Sequence, residues 1–119
     1  MTLILLSLLA AGCGKSDAKL RLQINGAWSV LPSGSMVFYA DGSFHFTNSY
    51  VSNNTMLKWA SDGMWDVKDG FLIMTVTNSM AVNTDEKPLP GQTSRRKINF
   101  VDEHNLACGD QEHGASYHR

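Results

Sequence analysis

Long apolar runs are nearly absent from this chain of 119 residues. Only Leu3–Ala11 is continuously apolar, apart from Ser7, and nine residues fall well short of the roughly 20 that a spanning helix needs. No later stretch keeps a helical period of apolar residues, which argues against a helical bundle. Charge of one sign is also missing: ten Lys and Arg stand against eleven Asp and Glu. That balance lacks the basic excess of a nucleic-acid binder and any acidic run that would gather metal ions. Catalytic signatures are absent as well. There is no Gly-X-Ser-X-Gly, no dinucleotide fingerprint, no His-Glu-X-X-His and no Cys-X-X-Cys. Gly12-Cys13-Gly14-Lys15-Ser16 ends as a phosphate loop does, but it lacks the first glycine and precedes no βα unit. Neither an enzyme nor a cofactor is expected.

What is present begins at the N-terminus. Leu3–Ala11 has the length of the apolar region of an export signal and runs into Ala11-Gly12-Cys13. Small residues before a cysteine resemble a bacterial lipobox, which implies cleavage before Cys13 and lipid attachment to it. Residues 1–12 are then a removed signal peptide, and 13–23 are the lipidated cysteine and a polar tether. An uncleaved anchor is the alternative. Several acyl chains, each burying methylenes worth about 0.8 kcal/mol apiece, anchor a protein stably. The expected location is the extracytoplasmic side of the cell envelope. Gly14 stands where Asp would signal inner-membrane retention, so an outer membrane, where there is one, is favoured.

The remainder, about 107 residues, is the size of one domain and can form a core without disulfides. If Cys13 carries lipid, Cys108 is left single. Leu106-Ala107-Cys108 alternates as a strand, so Cys108 is expected to be buried beside Leu106 rather than to act as a nucleophile. His45, His104, His113 and His118 show no ligand spacing and read as surface residues. Arg95-Arg96-Lys97, the only basic cluster, reads as the solvated entry to a strand. Asp41, Asp62 and Asp69 each precede glycine and are explained by turns.

From residue 24 onward, short apolar runs alternate with turn signals, predicting about eight antiparallel strands in an all-β fold. The strands are expected over 27–31, 35–40, 43–51, 56–60, 64–68, 71–78, 93–101, 105–108 and a short closing run at 114–119. Asp41-Gly42 and Asp69-Gly70 predict two-residue hairpins, and Ser61-Asp62-Gly63 a break or bulge. Residues 79–94 form the longest irregular segment, whose part over 79–92 is a candidate lip.

Gly26-Ala27-Trp28, the run Val37–Phe44 and the run Gly63–Leu72 resemble bacterial lipocalin-like domains of secreted lipoproteins. The resemblance covers most of residues 24–119. It implies a small up-and-down barrel in which Trp28, after Gly26, packs beside Arg119 at the end of the last strand. It also implies an interior that holds a small apolar ligand, with Phe44, Phe46, Trp59 and Phe71 on the wall. An eight-stranded barrel is narrow enough for side chains to fill, so a filled barrel that serves as an interaction module for an envelope protein stays open. Trp28, Phe38, Phe44, Phe46, Trp59, Trp65, Phe71, Phe100 and the internal methionines are the residues for such filling.

Overall fold

Eight antiparallel strands close into a barrel in the computed structural model, which describes residues 16–31, 33–85, 87–110 and 114–119. The expected signal peptide and Cys13 lie outside the described residues. The strands are β1 Gly26–Val30, β2 Gly34–Phe38, β3 Ser43–Ser52, β4 Thr55–Lys68, β5 Phe71–Val82, β6 Thr93–Val101, β7 Asn105–Cys108 and β8 Ala115–His118. Each pairs with the next, and Ser29 opposite His118 joins β1 to β8. The expected up-and-down barrel is therefore closed, with the ends of β3, β4 and β5 projecting beyond their neighbours.

Turn chemistry sets the hairpins. Asp69 (φ 55°) and Gly70 (φ 79°) supply the two left-handed residues that match a tight turn to strand twist. Asn53 (φ 52°) and Asn54 (φ 63°) do the same between β3 and β4. The Asp41-Gly42 connection is longer than expected, because β2 ends at Phe38. The Gly42 N–H donates to the Tyr39 carbonyl (3.1 Å), and the Asp41 carboxylate accepts from the Ser43 N–H (2.8 Å).

Ser61-Asp62-Gly63 does not break the chain. β4 runs through it for 14 residues, and the irregularity lies across in β5. Asp62 faces Asn78 while Gly63 faces Val76, which leaves Thr77 without a counterpart. Burial in β5 switches parity there, from Leu72, Met74 and Val76 to Ser79 and Ala81. The extra residue lets β5 stay paired to Val82, so the irregular segment shrinks to 83–92. Gly63 itself admits the ring of Phe44, its partner on β3. A Cβ there would sit 2.0 Å from the Thr75 carbonyl oxygen and 2.6 Å from that ring.

The expected tether over 13–23 is corrected at its C-terminal part: Asp17–Ile24 is an α-helix, α1. Ser16 caps it, its hydroxyl accepting from the Lys19 N–H at 3.2 Å. Asp17 accepts from the Asp69 and Gly70 N–H groups (2.8 and 2.9 Å), and Arg21 pairs with Asp66. These bonds hold α1 against the β4–β5 turn, with Leu20 and Ile24 buried under that end of the barrel, its base.

The core fills the base. Phe38 meets Trp65 and Tyr117 edge-on, with ring centres 5.1 and 5.9 Å apart. Trp28, Val67, Leu72, Val101 and Leu106 complete it. Some expected core residues are elsewhere. Phe100 is exposed because the ladder shifts between Ile98 and Phe100, turning Val101 inward in its place. Met36 and Met74 are buried, whereas Met56, Met64 and Met80 face solvent.

Candidate functional site

Above the packed base the barrel is hollow. A cavity of about 290 Å³ opens towards the end that carries the β3–β4 and β5–β6 connections. Its apolar wall comes from Phe44 and Phe46 on β3, Trp59 on β4, and Met74 and Val76 on β5. Phe46 and Trp59 lean on each other with ring centres 4.8 Å apart. Pro88 and Gln92 reach the cavity from the β5–β6 connection, so only the second half of the expected lip borders it. The interior is thus filled at the base and open above.

Three of the four expected wall residues, Phe44, Phe46 and Trp59, line this cavity; Phe71 does not. Phe71 lies on the outer face, where the Arg95 guanidinium stacks 3.6 Å from its ring centre. The run Phe71-Leu72-Ile73-Met74 is apolar at every position, so only burial of Leu72 and Met74 decides which face points inward.

Of the polar residues that line the cavity, Gln92 belongs to the expected lip, whereas Ser61, Ser94, Arg96 and Tyr117 were not expected. The basic cluster is divided by strand alternation: Arg95 and Lys97 are exposed, while Arg96 between them is half-buried and reaches the interior. The signal was Ile98, two residues on, whose apolar side chain marks the inward parity of β6. Burial pushes the Tyr117 hydroxyl from its ordinary 10.0 up to about 12, against the opposing charge of Arg96. Burial likewise pushes the Cys108 thiol up, again opposed by Arg96. Cys108 is a free, buried thiol beside Leu106, as its strand pattern implies.

A separate cluster closes the base. The Arg119 guanidinium lies 3.8 Å from the ring centre of Trp28, and its N–H groups donate to the carbonyls of Gln23, Asn25 and Glu103. The Trp28 Nε1–H donates to the Ile24 carbonyl at 2.7 Å. Gly26 (φ 125°) passes so close that a Cβ would stand 2.9 Å from an Arg119 nitrogen. Gly26, Trp28 and Arg119 therefore form one structural unit, as the resemblance implied. No family model matches the sequence, and no curated protein is similar to it. Among solved structures, the chain is similar to that of a lipocalin-like protein from Bacteroides uniformis ATCC 8492. The TM-score is 0.59 at 11% identity, over 82% of this chain and 98% of that one. The fold is lipocalin-like.

In this lipocalin-like barrel the described histidines are dispersed. His45 Nδ1 lies 2.6 Å from an Asp62 oxygen, His104 Nδ1 lies 3.0 Å from the Arg119 carbonyl, and His118 Nδ1 lies 2.9 Å from the Asn105 side-chain oxygen. His113 lies outside the described residues. No three potential metal ligands gather among the described residues.

Proposed function

We propose that this protein is a non-catalytic, lipid-anchored envelope protein whose barrel binds one small apolar molecule. The cavity carries the binding half of this reading. It is open at one end, walled by Phe44, Phe46, Trp59, Met74 and Val76, and close to the lower limit of ~300 Å³ for small-molecule pockets. Ala11-Gly12-Cys13, with the apolar run before it, supports the anchor through Cys13 and an extracytoplasmic location at the outer membrane, where one exists.

A fluorescent fatty acid tests the binding. It is expected to saturate with micromolar affinity and to quench tryptophan emission, since Trp59 lies on the wall. Intact mass of the protein from bacterial membranes tests the anchor in the same preparation. A chain that starts at Cys13 and carries acyl mass is the expected result, and an unmodified chain of full length overturns it.

One observation favours a second reading, an interaction module of the envelope. Val51, Met56, Met80 and Val82 are exposed on the projecting ends of β3, β4 and β5. Such apolar surface suits an envelope protein partner. Under that reading apolar probes fail to saturate and cross-linking recovers the partner.

A further inference from the structure

Arg96 is the anomaly of the cavity. An arginine keeps its charge at any ordinary pH, and a charge taken partly out of water needs a partner to offset the lost hydration. Among the described residues, ion pairs form at Arg21–Asp66 and His45–Asp62, both on the outside. None reaches Arg96, and no hydrogen bond to its guanidinium is found among the described residues. Its outward neighbour Arg95 is by contrast stacked on Phe71. Arg96 shares the cavity with Tyr117, Ser94 and the apolar wall formed by Phe46, Trp59 and Met74. A cavity that is apolar on most sides and bears one unpaired cation is complementary to an apolar molecule with one negative group.

Resting on the apolar-ligand reading above, we infer that the ligand is an anionic amphiphile, a short acyl chain whose carboxylate is held by Arg96. The guanidinium presents paired N–H donors that match the two oxygens of a carboxylate. Tyr117, neutral at physiological pH, offers its hydroxyl to the same group. The chain then lies against Phe46, Trp59 and Met74, on the way to the mouth between Pro88 and Gln92. At about 30 Å³ for each non-hydrogen atom, a figure taken from liquid water, 290 Å³ accommodates roughly ten of them. A chain of about ten carbons therefore fills the cavity and reaches its opening.

Calorimetric titration of the full chain with decanoate, 1-decanol and decylamine separates the contributions. Decanoate is expected to bind at least about tenfold more tightly than 1-decanol, with decylamine weakest. In Arg96→Met, decanoate should lose about tenfold in affinity while 1-decanol stays within about twofold. Equal binding of acid and alcohol, unaffected by Arg96→Met, overturns the carboxylate site and leaves the apolar-ligand reading standing. Binding of none of the three overturns both. A readout without any variant is the ¹³C signal of carboxyl-labelled decanoate on the unaltered protein. The bound carboxyl should stay ionised to lower pH than the free acid, and titration at or above the free value overturns the pairing.

Discussion

Single residues in this barrel act through the space they leave as much as through the contacts they make. Gly63 lies between the ring of Phe44 and the carbonyl of Thr75, in room that no side chain fits. Gly63→Ala is expected to destabilise the protein by about 3 kcal/mol, because both neighbours are held by strand pairing and neither can withdraw cheaply. Urea denaturation of the variant against the parent measures this. The sequence hid the role of Gly63, since Asp62-Gly63 has the same composition as a turn and only the position of Phe44 across the ladder distinguishes the two. Gly26 was easier to recognise. Its spacing from Trp28, with Arg119 near the chain end, resembled a known unit, and the contacts of Arg119 supply the physical cause.

At the scale of elements, α1 shows how local pattern misleads. Leu20-Arg21-Leu22-Gln23-Ile24 alternates as a strand would, yet it is helical, with Leu20 and Ile24 buried and Leu22 exposed. The four-residue spacing of Leu20 and Ile24 reaches the base only from a helix. The Ser16 cap and the bonds from Asp17 to the β4–β5 turn set its place. Leu20→Ala should cost about 2–4 kcal/mol, and the capping variant Ser16→Ala about 1 kcal/mol. Thermal unfolding followed by circular dichroism should rank them in that order. An equal, negligible effect of both would show that α1 is dispensable. The bulge expected at Ser61-Asp62-Gly63 falls at that point of the ladder, but its extra residue, Thr77, lies across in β5, which only the pairing with β4 decides.

The whole molecule has a packed base and a hollow upper half, and its response to alkali follows from what the interior holds. Burial raises both Cys108 and Tyr117 above their ordinary values of 9.0 and 10.0, so the fold favours their neutral forms. The stabilisation from that preference is complete below pH 9.0 and is lost as pH rises through the folded values, up to about 12 for Tyr117. Urea midpoints should accordingly fall above pH 9, and Tyr117→Phe should flatten the last part of that decline. A decline of unchanged slope in Tyr117→Phe would assign it to other groups. Period-two alternation, paired turn residues and the lack of helical period determined by themselves that this chain folds as antiparallel strands, because those signals act between near neighbours. The barrel was implied by the lipocalin-like resemblance, and its closure belongs to the tertiary structure. Tertiary structure alone decided that Phe71 and Phe100 face outward and that a cavity remains above the base. Those outcomes depend on bulges, strand register and barrel closure, which join residues far apart in the chain and leave no local trace.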